Sequence, residues 1–498
     1  MLKNQFIIYK ENNANCILPS DCKILKFVGL NVLYDYKLCC TKVDLDHIHI
    51  LLCGYILDPF EPELTNEQIL YSLCESSADT QSLIKNLQKY SGRYVLLYKN
   101  KTEFVALTDA LGLRQLYYFI DEGNTIISSS PKLILEFLNW EPEISEELKN
   151  LLDSEDYKLN ESPWLGEYWY DKRVKKIIPN HYLDLIGEQV FRTPLFIQPL
   201  SEEETLDYAR TVLTGSLKAV SNRFERIMQP LTAGWDSRLI LSASISLADK
   251  IEYYVFINNP GELRGSDVII ATGLASKLNL NFKIISTVEL KKEFLEDYSK
   301  ICIYPRVLPK TSNIQWHYFE NKNKNAVNIN GNGGEIVRRF FYYYERKDGA
   351  VDIETLLKCR PYNWFFKSEV EKWYSETFSY ANEYKIGLLD LFYWEQRMGH
   401  WHALYQYEQD VAIEEFSPFN NKNLLLTLLR IDPDKRIKSN CLFCKEIIRE
   451  LLPEILDEPV NPIFGLNLKH RVRVHLWKKP DLFYFLKKIK KKLEEIFS

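Results

Sequence analysis

The sequence predicts an α/β protein in two parts: a β-rich first part of short antiparallel strands, and a second part whose parallel sheet is covered by helices. Three observations predict this. Short apolar/polar alternations fill the chain before about residue 130, a capped helix opens at Ser201, and apolar runs then alternate with helical periodicity. The texture changes between 190 and 200, which divides the chain into 1–195 and 196–498.

In the first part, DLDHIHILL (44–52) and GRYVLLY (92–98) read as strands. TEFVALTD (102–109) and QLYYFI (115–120) flank ALGLR, and TIISSS (125–130) follows. His47 and His49 fall on one face of the first of these strands and read as surface histidines. In the second part, Ser201 and Glu204 have capping-box spacing ahead of an amphipathic helix. Strands are then expected at 227–231, 251–257 and 282–286, with helices from about 237 and from about Asp267. Beyond 350 the chain reads as mostly helical, its aromatics packed between helices, with His400 and His402 too closely spaced to share a helix face. KKIKKKLEE (487–495) reads as the solvated face of an amphipathic helix.

Bulk properties narrow the function classes. The 498 residues are too many for one compact core, and 46% hydrophobic with 26% charged residues is ordinary for a folded protein. A net charge of −5 gives no general attraction for phosphate backbones, so nucleic acid is not an expected partner. Ten cysteines in a chain this long form no disulfide framework and read as reduced, packed thiols, the C-x-x-C at Cys441 and Cys444 included. The start, MLKNQFIIYKENN, lacks a signal-peptide pattern, and no run approaches the ~18 apolar residues of a membrane span. A cytoplasmic protein without membrane contact is expected.

The segment PLTAGWDSRLILSAS (230–244) carries the chemistry. A turn from the end of a parallel strand into a helix presents several backbone N–H groups, and the helix dipole adds about half a positive charge there. Gly234 admits close backbone approach, Thr232 and Ser237 offer hydroxyls, and Asp236 can hold a magnesium ion that bridges phosphate oxygens. The alternative is an ordinary loop beside an aspartate.

LTAGWDSRLIL resembles the Ser-Gly-Gly-x-Asp-Ser pyrophosphatase loop of the asparagine synthetase family. Other segments are similar to that family in the same order: GELRGSDVIIATGLASKLNL (261–280), NGNGGEIV (330–337), SPFNNKNLL (417–425) and RIKSNCLFCKEIIRELLPEIL (436–456). In the first part, TDALGLRQLYYF (108–119) and ISSSPKLI (127–134) are similar to its glutamine amidotransferase domain. The resemblance implies an N-terminal αββα domain of that type and a C-terminal doubly wound ATP-pyrophosphatase domain with added helices. It further implies ATP and magnesium as cofactors, with ATP bound by Leu231, Thr232, Ala233, Gly234, Asp236, Ser237, Ile257, Asn330 and Gly331. Asp236 and Glu335 would be the catalytic and magnesium-binding carboxylates, and Arg338 and Arg339 are candidate contacts to substrate carboxylate or phosphate.

The departures matter as much. The family's nucleophilic Cys is Leu2, its glutamine-orienting Asn-Gly-Glu is Cys53-Gly54-Tyr55, and the Asp of its Asp-Gly-x-Phe is Ser91. A leucine is no nucleophile, so glutamine hydrolysis is not expected. Ala233 replaces a loop glycine, Asn332 a glutamate of the amide-forming step, and Val460 a lysine that steadies charged intermediates. The resemblance therefore implies an AMP-forming ligase that adenylates a small-molecule or peptide carboxylate and passes it to an amine, as in the lactam-forming and peptide-cyclising branches. A homodimer is the candidate assembly. A nucleotide-binding scaffold and asparagine synthesis from free ammonia are the alternative readings.

Overall fold

The computed structural model describes residues 4–10, 22–121, 124–301, 311–322, 324–346, 349–437 and 441–462. Leu2, Cys16, Cys302, residues 438–440 of the 436–456 motif and the basic run at 487–495 lie outside the described residues.

Among the described residues, twelve strands come from the first part of the chain: β1 (Phe6–Lys10), β2 (Cys22–Phe27), β3 (Leu30–Asp35), β4 (Cys40–Leu45), β5 (Ile48–Leu57), β6 (Ser91–Lys99), β7 (Phe104–Thr108), β8 (Leu116–Asp121), β9 (Asn124–Ser128), β10 (Lys175–Ile177), β11 (His181–Asp184) and β12 (Gln189–Arg192). They form two six-stranded antiparallel sheets, ordered β10-β8-β9-β1-β3-β2 and β12-β11-β7-β6-β5-β4. The period-2 alternation sorts their side chains. Phe6 and Ile8 of β1 join Leu51, Val95, Leu97 and Ile127 in a core between the sheets. Ile7 and Tyr9 turn instead to Ile134 and Leu135 of the Pro131–Leu138 helix. Across the molecule, Ile50, Leu52 and Leu96 meet Ile69, Leu70 and Leu73 of the Asn66–Ser76 helix. The layers thus run helix, sheet, sheet, helix.

The strand expected over 44–52 is really a hairpin: β4 ends at Leu45 and β5 starts at Ile48, with Asp46 in the left-handed region at φ 51°. His47 lies in that turn, so it does not share a strand face with His49, which pairs with Asp44 at 2.8 Å.

The second part opens with the Glu202–Ser221 helix. Ser201 Oγ accepts from the Glu204 N–H at 3.2 Å, and Glu204 Oε2 accepts from the Ser201 N–H at 2.7 Å, closing the expected capping box. Strands β13 (Arg226–Pro230), β14 (Ile251–Ile257), β15 (Phe282–Ser286), β16 (Ala326–Ile329) and β17 (Glu414–Phe416) form one parallel sheet, ordered β15-β14-β13-β16-β17. The order reverses between β13 and β16. That reversal opens a crevice at the carboxyl ends of these two strands, the place where open parallel sheets bind ligands.

Among the described residues past 350 the chain is largely helical, though not uniformly α-helical. Residues Tyr393–His402 take π-helical geometry, and Glu414–Phe416 adds the edge strand β17. The aromatics there are mostly core, as with Trp373 packed edge-on to Phe392 at 5.0 Å. Cys441 and Cys444 are joined in a disulfide, which corrects the expectation of reduced thiols at that pair. Cys39, Cys40, Cys53, Cys74 and Cys359 are free thiols. Among the described residues no helix is long and apolar enough to cross a membrane.

Buried ion pairs tie the two parts together. Arg93 Nη1 lies 2.6 Å from both Asp410 Oδ1 and Glu414 Oε1, and Arg114 Nη2 lies 2.9 Å from Glu414 Oε2. Both arginines are 1% exposed, so losing either partner would strand a charge away from water.

Candidate functional site

The crevice between β13 and β16 is lined by the turn that leaves each strand. After β13, residues 231–234 turn sharply into the Trp235–Ser244 helix, which begins at Gly234 without a side-chain cap. A helix start of this kind is where anions bind. Ser237 organises the turn: its Oγ accepts from the Thr232 N–H at 3.0 Å and donates to the Thr232 carbonyl at 2.9 Å. The Ala233 N–H donates to Asp267 Oδ1 at 2.9 Å, and the Leu231 N–H donates to the Tyr254 carbonyl at 2.8 Å. Ala233 is not among the residues with positive φ, so its methyl carries no backbone strain. Gly234 sits at φ −81°, and a Cβ there would make only ordinary contacts with Thr232 and Asn461. The fold itself does not demand glycine at 234; a ligand approaching the backbone would.

After β16, the 330–335 loop folds over the start of that helix. Asn330 is fixed by three contacts: its N–H donates to the Phe416 carbonyl at 2.8 Å, its Nδ2 donates to Glu415 Oε2 at 2.5 Å, and its Oδ1 accepts from the Asn332 N–H at 3.0 Å. A Cβ on Gly331 would fall 2.6 Å from Asp236 Cβ, and one on Gly334 would fall 2.6 Å from Asp236 Oδ1. Glycine at both positions is therefore a packing requirement of the Asp236 side chain. Gly333, at φ 99°, supplies the left-handed turn between them.

The structure thus brings Leu231, Thr232, Ala233, Gly234, Asp236, Ser237, Asn330 and Gly331 to one crevice. Ile257 ends the neighbouring strand β14, where it packs with Val255 and Val268. Val460 adjoins the crevice as well, because the N–H of the next residue, Asn461, donates to the Ala233 carbonyl at 3.0 Å.

The two carboxylates expected to hold magnesium are engaged by the protein. Asp236 Oδ2 accepts from Arg338 Nη2, and Glu335 Oε2 accepts from the Gly333 N–H at 3.1 Å. Among the described residues no group of three or more His, Cys, Asp or Glu is arranged to hold a metal ion. With a guanidinium on Asp236 and a backbone amide on Glu335, these residues do not fit a resident divalent cation.

Arg339, the other candidate contact, pairs with Glu345. It lines a cavity of about 560 Å³ with Tyr342, Tyr374, Phe378 and Asp390, one residue along the chain from the Asp236 contact.

Sequence reading missed Glu415, which is fully buried behind the crevice and accepts from Asn328 Nδ2 at 2.9 Å as well as from Asn330. Burial pushes its carboxyl up to about 7, against the downward pull of those two amides. It also missed Arg238, whose guanidinium donates to the carbonyls of Ile455, Glu458 and Pro459 and so pins the 455–461 segment beside the 231–234 turn. Neither has a local signal: Glu415 is the second of two consecutive glutamates and Arg238 follows Asp236-Ser237, and nothing in either run marks which charge is buried.

In the first part, the altered positions serve packing. Tyr55 Oη donates to the Glu415 carbonyl at 2.7 Å, and Ser91 Oγ lies 2.8 Å from Ser216 Oγ and accepts from Asn421 Nδ2 at 3.1 Å. Gly54 and Gly92, both at positive φ, face each other's strands so closely that a Cβ would fall 2.2 Å from the Arg93 carbonyl oxygen or 2.3 Å from that of Tyr55.

No protein-family model matches the chain, and no curated protein matches it. Solved structures do. The chain is similar to NMN synthetase from Francisella tularensis at 16% identity, covering 28% of this chain and 59% of that one with a TM-score of 0.20. It is similar to glutamine-dependent NAD+ synthetase from Acinetobacter baumannii at 12% identity, over 41% and 46% of the two chains, TM-score 0.22. It is also similar to glutamine phosphoribosylpyrophosphate amidotransferase from B. subtilis at 10% identity, over 68% and 72%, TM-score 0.20. The first of these matches span about half to three-fifths of the solved chains' own length. At such scores these likenesses carry no argument, and the site stands on its geometry alone.

Proposed function

We propose that this chain is an ATP-dependent, AMP-forming amide ligase of asparagine synthetase type that acts without hydrolysing glutamine. One observation carries the reading: the uncapped start of the Trp235–Ser244 helix and the glycine loop at 330–335 close on each other, through Asp236, at the point where the parallel strand order reverses. The motif resemblance and the ordered hydroxyls of Thr232 and Ser237 support it.

In the proposed reaction a substrate carboxylate oxygen bonds to the α-phosphorus of ATP while the bond to the pyrophosphate oxygen breaks. An amine nitrogen then bonds to the acyl carbon, AMP leaves, and the amine loses a proton. The helix amides hold the departing pyrophosphate as its charge develops, on a turn whose shape Thr232 and Ser237 fix. The cavity edged by Arg339, Tyr374 and Phe378 takes the body of the carboxylate. A resident magnesium ion is not part of this reading, because Asp236 and Glu335 are engaged by protein groups.

The test is pyrophosphate release from ATP across a panel of carboxylates, with and without amines. Release that depends on one carboxylate supports the ligase. A second reading, a nucleotide-binding scaffold, draws on the Asp267 carboxylate that already holds the Ala233 amide; ATP binding with no release from any carboxylate would establish it. Aspartate with ammonium belongs in the panel, and asparagine formed there would favour synthesis from free ammonia.

A further inference from the structure

The site expected to hold a divalent cation holds an arginine. Arg338 follows the short Gly334–Val337 helical turn that ends the 330–335 loop, and its Nη2 donates to Asp236 Oδ2. Its side chain is only 6% exposed, and its Nε is buried with no hydrogen-bond partner among the described residues. An unsatisfied guanidinium N–H in such a place is costly unless a further acceptor comes to it.

Asp236 is confined against this guanidinium. Gly331 and Gly334 press on its Cβ and Oδ1 with no room for even a methyl group. An incoming hexacoordinate cation would have to displace Arg338 from the carboxylate and would find Glu335 bonded to the Gly333 amide. Two further arginines, Arg360 and Arg397, line a small cavity with Phe341 and Phe392.

We propose that Arg338, held by Asp236, supplies the fixed positive charge against which this crevice binds nucleotide phosphates, so that binding does not require magnesium. The proposal rests on the ATP reading above and adds to it the source of the charge. Asp236 acts here as a positioning residue: it aims the guanidinium, whose planar fork suits two phosphate oxygens as an ammonium would not.

The experiment is equilibrium binding of ATP and of inorganic pyrophosphate to the full chain by calorimetry, once in EDTA and once in magnesium. In the unaltered protein, ATP is expected to bind in EDTA within about threefold of its affinity in magnesium. Arg338→Met should weaken binding in EDTA by at least about tenfold, and Arg338→Lys should recover only part of that loss. The comparison of buffers needs no variant, so it stands even if Arg338→Met fails to fold. Binding that requires magnesium in the unaltered protein overturns the proposal and leaves the ATP reading in place. No binding in either buffer overturns both.

Discussion

Gly331 lies in the 330–335 loop and Asp236 in the first turn of the Trp235–Ser244 helix, yet a single methyl on Gly331 would lie 2.6 Å from Asp236 Cβ. That close approach joins the two sides of the carboxyl-end crevice of the parallel sheet and holds the aspartate in place.

Gly331→Ala should therefore damage the site more than its size suggests. Overpacking of this kind costs about 1–3 kcal/mol, and the loop must move to relieve it. ATP affinity is expected to fall at least about tenfold, measured by calorimetry, with a lower urea midpoint in parallel. Retained affinity would show that the 330–335 loop does not border the nucleotide.

Asp236→Ala removes the partner of a buried guanidinium. Because the aspartate is itself 26% exposed, the expected loss of stability is about 1–2 kcal/mol, below that of a fully buried pair. Carboxylate-dependent pyrophosphate release should be abolished. Release at the unaltered rate would remove Asp236 from the site.

Glu415 should leave a mark on the pH dependence of stability. Its carboxyl is raised from 4.5 to about 7 in the folded protein, so the folded state keeps a proton that the unfolded chain has released. This contribution is complete below about pH 4.5, shrinks as pH rises and is gone above about pH 7. Relative to Glu415→Gln, the unaltered protein should lose up to about 3 kcal/mol between pH 5 and pH 8, measured as paired urea titrations. Parallel curves for the two proteins would show that Glu415 ionises normally.

Cys441 and Cys444 are expected to resist alkylation in the denatured protein until a reductant is added. Peptide mapping by mass spectrometry reads this directly. Labelling of both thiols without reduction would return the pair to the free state that its sequence suggested.

Much of the fold was legible because local rules fix it. The Ser201–Glu204 capping box, the alternation in 92–98 and the apolar run 251–257 each carry their structure within a few residues. Where two elements share one apolar stretch, local reading failed: DLDHIHILL hides the turn at Asp46 and His47 because its alternation continues through the hairpin. The candidate site was legible as two motifs, at 231–237 and 330–335, but not as a set of contacts. The resemblance made Asp236 and Glu335 metal ligands, and nothing local announces that Arg338 and the Gly333 amide would reach them first.

The sequence by itself determined the strand and helix periodicities and the small-residue turn at 231–237, both of them matters of residue type and near spacing. Only the tertiary structure decided that β13 and β16 lie side by side, which sets Gly331 and Gly334 against Asp236. It also decided that the charge on Asp236 is met by Arg338, and that Tyr55 and Ser91 dock on the second part of the chain. Strand order and close packing are properties of the whole chain. A carboxylate takes whichever cation the fold brings within reach, and that choice is not written in its neighbours.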